Sequence, residues 1–164
     1  MINEKRLVNR FLALVRINSM SRHEKEVAMF IKKQLSLLGI RSWFDGAAKK
    51  INGNCGNLYA YIKANSKNVP SILLNAHMDT VELKGNVKPI TQKGIIKSDG
   101  STILGADCKA GVAAILEVLN VIKSGKIRHG DIKICFTVSE EIGLLGAKQS
   151  EYKYLKADYG FVID

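Results

Sequence analysis

The sequence predicts an α/β protein, a three-layer α/β/α sandwich built on a central mixed sheet. Apolar residues recur at helical spacing in three stretches, while five others are short and alternate or run continuously apolar in the manner of strands. No internal repeat, low-complexity tract or domain-sized linker interrupts this succession.

Residues 4–16 put Leu7, Phe11, Leu14 and Val15 on one face, with Asn3 placed to cap the helix start. After Asn18-Ser19-Met20, the spacing of Ser21 and Glu24 fits a capping box. Val27, Phe30, Ile31, Leu35 and Leu38 then mark a second helix that stops at Gly39. Ile40 to Phe44 is a short strand, Asn57 to Ala64 alternates as a second, and Asn65 to Asn68 is a turn. Ser71 to Ala76 is continuously apolar up to Asn75, as expected of a strand buried on both faces. Residues 81–103 are polar and glycine-punctuated and are expected to loop along the sheet edge, with Gly94 to Lys97 as a hairpin arm. Lys109 to Lys123 is the clearest helix, carrying Val112, Ile115, Leu116, Leu119 and Ile122 on one face. Asp131 to Val138 and Tyr159 to Ile163 complete the strands.

With 164 residues, 46% of them hydrophobic and 24% charged, the chain is large enough for one domain with a substantial core. No run approaches the roughly eighteen apolar residues of a membrane span, and the charged start does not read as a signal peptide, so a cytoplasmic location is expected. Cys55, Cys108 and Cys135 are odd in number and lack any CxxC pair, which points to reduced thiols. The formal charge of +10 raises nucleic-acid binding as a reading. It is not the one adopted, because the basic residues are dispersed and no RNA- or DNA-binding motif accompanies them.

Four stretches carry the chemistry: Asn75-Ala76-His77-Met78-Asp79-Thr80, Gly105-Ala106-Asp107-Cys108-Lys109-Ala110-Gly111, Ser139-Glu140-Glu141 and Phe161-Val162-Ile163-Asp164. His77 at a strand end is either a structural residue or a metal ligand. Residues two apart in extended chain share a side, so Asp79 can accept the second imidazole N–H of His77. Asp107, just before the best helix, either complements the helix dipole or bridges two cations. Glu140-Glu141 places two like charges side by side, a conflict that a cation resolves, though an exposed acidic turn is the plainer reading. One glutamate can then ligate metal while its neighbour takes a proton from water. Taken singly, Asp164 is a frayed terminal carboxylate. Together, oxygen donors plus one imidazole suit zinc, manganese or cobalt. His23 and His129 have no acidic partner at useful spacing and read as surface residues.

In this order and at these intervals the four stretches resemble the M20 family of metallopeptidases, particularly its peptidase T-like tripeptidase and dipeptidase members. Ile17-Asn18-Ser19 with Ser21 and Glu24, and Gly56-Asn57-Leu58, extend the resemblance over nearly the whole chain. It implies that residues 1–164 are the N-terminal portion of the catalytic domain, less than half of a typical member, with the lid and dimerisation domain and a late histidine ligand absent. It also implies two divalent ions, most simply zinc. His77 and Asp164 would hold one ion, Glu141 the other, and Asp107 would bridge them. Glu140 would be the general base and acid, Asp79 would orient His77, and the Asp107–Cys108 peptide bond would be cis. Cys108 departs from the Asp or Asn common in relatives, and the Glu141 ion would have two protein ligands instead of three. The implied activity is aminopeptidase-like hydrolysis of short peptides, with no nucleic-acid or membrane partner and with homodimerisation through the lid of a full-length form. N-acyl amino acid deacylation and a non-catalytic metal-binding fragment are the alternatives. A sheet cut part-way would also leave an apolar edge prone to self-association.

Overall fold

The computed structural model describes residues 1–82, 85–125 and 127–164. Helix α1 (Glu4–Val15) begins where expected, with the Asn3 side chain accepting a hydrogen bond from the Arg6 amide at 2.9 Å. Helix α2 (Lys25–Leu37) ends before Gly39, whose φ of 67° lets the chain reverse. Strand β1 (Ser42–Phe44), the short helix α3 (Ala47–Ile51) and strand β2 (Leu58–Ile62) follow. Helix α3, five residues long, is too short to show a period and was not expected.

Strand β3 (Ile72–His77) leads into the polar stretch expected to loop along the sheet edge. There, residues 83 and 84 lie outside the described residues, and β4 (Pro89–Gln92) pairs with β5 (Ile95–Ser98) as a separate hairpin. Helix α4 (Ala106–Ser124) is interrupted at Asp107 and Cys108, so its regular part begins at Lys109 as the sequence predicts. Strand β6 (Ile132–Thr137), the one-turn helices α5 (Leu145–Lys148) and α6 (Tyr152–Leu155), and strand β7 (Tyr159–Val162) complete the chain.

The main sheet runs β1-β2-β6-β3-β7 and is mixed. β1, β2 and β6 pair antiparallel, whereas β6, β3 and β7 are mutually parallel. Alternation decides which face each side chain takes. Leu58, Ala60, Leu74, Ala76, Ile132, Ile134 and Phe136 form one face and share a core with Leu14 of α1, Val27, Ile31 and Leu35 of α2, and Val112, Ile115, Leu116 and Leu119 of α4. On the opposite face Trp43 and Tyr59 stack with ring centroids 6.0 Å apart, and Tyr154 of α6 covers both at 5.3 Å. Strand β7 leaves Tyr159, Phe161 and Val162 exposed, and among the described residues it pairs only with β3. No helix among the described residues is long and apolar enough to cross a membrane.

One expectation needs correcting. Ser21 and Glu24 do not form a capping box, because neither side chain caps α2. Ser21 Oγ donates to Asp79 Oδ2 at 2.6 Å, and Glu24 Oε1 accepts from the Ser139 amide at 2.9 Å. Water can serve the exposed amides at a helix start, and Asn54 Oδ1 takes that of Lys25 at 2.9 Å. A buried amide such as that of Ser139 has no such recourse.

Helix α1 is fastened to α4 by Glu117, whose carboxylate is buried and accepts from Arg6 Nε at 2.8 Å, Arg6 Nη2 at 2.7 Å and the Asn3 amide at 2.8 Å. Arg6 hydrogen bonding holds the Glu117 carboxyl below its ordinary value of 4.5, so its contribution is complete above that pH and is lost as pH falls through the lowered pKa. Glu117→Gln is therefore expected to lower Tm at neutral pH by about 3–6 °C. The difference from wild type should shrink as the pH is taken below 4.5. Equal melting temperatures at neutral pH would show that the fastening contributes nothing.

Candidate metal centre

Three parallel strands deliver the candidate residues to one edge. His77 is the last residue of β3 and stands opposite Thr137 in β6, while Asn75 stands opposite Val162 in β7. The segments that follow β6 and β7 carry Glu140-Glu141 and Asp164, so all four converge beyond the carboxyl ends of adjacent strands. Asp107 arrives from the interrupted start of α4. The Asp107–Cys108 peptide bond is cis. Gly111 allows α4 to approach this end of the sheet closely: a Cβ there would lie 2.8 Å from the Ile163 carbonyl oxygen.

His77 is the hub. Its Nε2 lies 2.9 Å from Asp107 Oδ1, 3.4 Å from Asp164 Oδ1 and 4.0 Å from Glu140 Oε2. Potential ligand atoms of His77, Asp107, Cys108 and Asp164 all fall within 4.8 Å of one another, as do those of His77, Glu140 and Glu141. The cluster thus brings together His77, Asp107, Glu140, Glu141 and Asp164. The imidazole is 3% exposed, whereas the Asp107 side chain is 71% and that of Asp164 51% exposed, so the carboxylates form the open mouth of a closed base.

Behind this cluster Asp79 is wholly buried. Its carboxylate accepts from Ser21 Oγ at 2.6 Å, the Glu140 amide at 2.9 Å and the Glu141 amide at 3.1 Å. Oδ1 also lies 3.3 Å from His77 Nδ1, an ion-pair distance whose angle falls short of an aligned hydrogen bond. Burial pushes the Asp79 carboxyl up, but His77, Ser21 and the two amides outweigh it and hold the group below its ordinary value. Burial likewise disfavours the His77 cation, yet the flanking Asp79 and Asp107 outweigh it and raise the imidazole to about 9. The Glu141 carboxyl is pushed up, first by burial and then by the negative charges of Asp107, Asp79 and Glu140.

The donor set fits divalent cations. A single N–H at Nε2 cannot serve three carboxylates, and among the described residues no lysine or arginine pairs with Asp107, Glu140, Glu141 or Asp164. Such an acidic island in a chain of formal charge +10 suits a divalent cation, which would relieve the repulsion between its carboxylates. Oxygen donors with one imidazole match zinc, manganese or cobalt. The Cys108 thiol does not compete, since it donates to the Ile163 carbonyl at 2.7 Å and burial lifts its pKa to about 11. Nor does Lys109 neutralise the cluster: it is buried and gives its ammonium to the Ile17 carbonyl at 2.6 Å.

Sequence reasoning missed three supports. Glu24 and Lys109 are buried charged residues, and Asn57 clamps the loop after β6 by accepting from the Val138 amide at 3.1 Å and donating to the Gly146 carbonyl at 2.9 Å. The spacing of Glu24 from Ser21 was a signal, but it had a local explanation; Asn57 stood out only within Gly56-Asn57-Leu58, with nothing to indicate its partners.

Residues 73–164, more than half of the chain, match the sequence profile of peptidase family M20/M25/M40. The chain belongs to this family. A tripeptidase from Staphylococcus aureus superposes over 100% of the chain with a TM-score of 0.94 and 47% identity. The aminopeptidase PepT of Bacillus cereus superposes over 99% with a TM-score of 0.95 and 39% identity. Among curated sequences, YqjE of Bacillus subtilis is 42% identical over all 164 residues. The chain spans 44% of the length of each of these three relatives.

The charged pairing at His77 gives a direct test. Because its pKa is raised from 6.5 to about 9, the metal-free pairing contributes stability that is full below 6.5 and is lost as pH rises through 9. The NMR shifts of the His77 ring protons in chelator-treated protein should titrate with a midpoint near 9. A midpoint at the ordinary imidazole value would mean that Asp79 and Asp107 do not pair with it.

Proposed function

We propose that the protein is an M20 metallopeptidase that hydrolyses peptide bonds of short peptides from the N-terminal end, with its centre holding two divalent ions. The observation that carries this reading is the convergence of three carboxylates on the buried His77 Nε2 without any lysine or arginine to balance them among the described residues. Similarity to a tripeptidase and to an aminopeptidase directs the choice of substrate. His77 and Asp164 would hold one ion and Glu141 the other, with Asp107 shared between them. Because the relatives are more than twice as long, we propose further that residues 1–164 are the N-terminal portion of a catalytic domain. The remaining length would supply further ligands, a lid and a dimer contact.

When bound, the ions supply Lewis acidity, which favours ionisation of water and polarises the peptide carbonyl. The residues of this chain manage the proton. Glu140, with its side chain 27% exposed at the mouth, accepts a proton from the attacking water on a carboxylate oxygen. It returns that proton to the amide nitrogen as the C–N bond breaks, so the amine leaves neutral and Glu140 is regenerated. Asp79 keeps Glu140 and Glu141 in place through their amides and takes the Nδ1 side of His77, leaving Nε2 directed at the mouth. In zinc-supplemented buffer, the chain grafted in place of the matching segment of the S. aureus tripeptidase should release N-terminal residues from tripeptides and leave N-acetyl amino acids intact. Glu140→Gln should reduce turnover by about 10²–10⁴-fold while the ions remain bound. Turnover that survives Glu140→Gln, or a preference for N-acetyl amino acids, would overturn the assignment.

A further inference from the structure

Strand β6 ends at Thr137, and beyond it the chain turns sharply enough that Ser139 has a φ of 53°, a left-handed conformation that non-glycine residues seldom adopt. The next two residues are Glu140 and Glu141. No strand ladder remains to receive the amides of 139, 140 and 141, yet all three are hydrogen-bonded. Those of Glu140 and Glu141 go to Asp79, whereas that of Ser139 goes to Glu24 Oε1 at 2.9 Å. The same oxygen accepts from Ser139 Oγ at 3.0 Å and the Arg22 amide at 2.9 Å. Glu24 has no exposed surface, and its other oxygen, Oε2, has no hydrogen-bond partner.

We propose that Glu24 is a positioning residue for the Glu140–Glu141 pair, holding the strained Ser139 turn from which both glutamates project. This rests on the reading of that pair given under the proposed function. A buried carboxyl with an orphaned oxygen adds little to stability compared with an apolar side chain of similar size, so its presence calls for a local purpose. Its geometry supplies one. Oε1 collects three donors, two of them from the residue that precedes Glu140, and it does so from the start of α2, far away in sequence. Ser21, three residues earlier, holds Asp79 in turn. The connection between α1 and α2 thus steadies the whole 139–141 segment through two buried carboxyls. Burial also pushes the Glu24 carboxyl up, so an uncharged acceptor of equal length can replace it.

Amide hydrogen exchange on the metal-free chain, together with Co²⁺ titration, tests the proposal with Glu24→Ala, Glu24→Asp and Glu24→Gln. Aspartate keeps the acid but is one methylene too short to reach the Ser139 amide, which guards against an alanine variant that fails to fold. In both short variants exchange at Ser139, Glu140 and Glu141 should rise about thirtyfold, with Ile134 and Leu116 unchanged. Co²⁺ affinity should fall about tenfold. Glutamine should restore both readouts to near wild type. Unchanged exchange at 139–141 in the aspartate variant, or an equal rise at Ile134 and Leu116, would overturn the positioning role. A wild-type chain that bound no Co²⁺ would instead remove the ligand set assigned to His77, Asp107 and Asp164, and the exchange data would still decide the role of Glu24.

Discussion

The buried carboxylate of Asp79 is the interaction on which the site depends. It lies two residues beyond the end of β3 and meets groups from three separate parts of the chain: Ser21 of the α1–α2 connection, His77 of its own strand, and the amides of Glu140 and Glu141 beyond β6. Without it, His77 would lose the anion behind its ring, and the two glutamates would lose the acceptor that fixes their backbone. A buried anion left with so few partners would be costly, but with three donors and an imidazole beside it the charge is stabilised below its ordinary pKa. Position, charge and hydrogen bonding are therefore set by the same group.

The sheet makes this arrangement possible. Because β6, β3 and β7 are parallel neighbours, their carboxyl ends open at one edge, and residues remote in sequence reach the same few ångströms. The apolar face beneath, shared with α1, α2 and α4, gives the strands a rigid register. Glu117 fastens α1 to α4, and Gly111 lets α4 approach the end of β7, so the helix that brings Asp107 is docked near its start and again beyond its middle. The cluster is left acidic on a protein that is otherwise basic, a local imbalance that suits cation binding better than any structural purpose.

Much of this was legible in the sequence because periodicity and local chemistry coincide. Leu7, Phe11 and Leu14 announce α1, the run from Ile72 announces β3, and the His77-Met78-Asp79 spacing announces which carboxylate faces the ring. Helix α3 and the one-turn helices α5 and α6 left no periodic trace, being four or five residues long. Ser21 and Glu24 were misread for a physical reason: a capping box and a long-range clamp use the same residue types, and only burial of the Ser139 amide decides between them. Asn57 and Lys109 act on partners whose proximity exists only in the folded chain, with sequence separations of 81 and 92. Local pattern cannot carry that information.

Zinc affinity of the Asp79→Ala chain, measured by chelator competition beside wild type at equal fold content, tests the central claim most directly. With His77 and both glutamates released from their common acceptor, affinity should fall by about 10–100-fold while the circular dichroism of the sheet and helices is retained. Equal zinc affinity in the two proteins would contradict the claim that Asp79 organises the site.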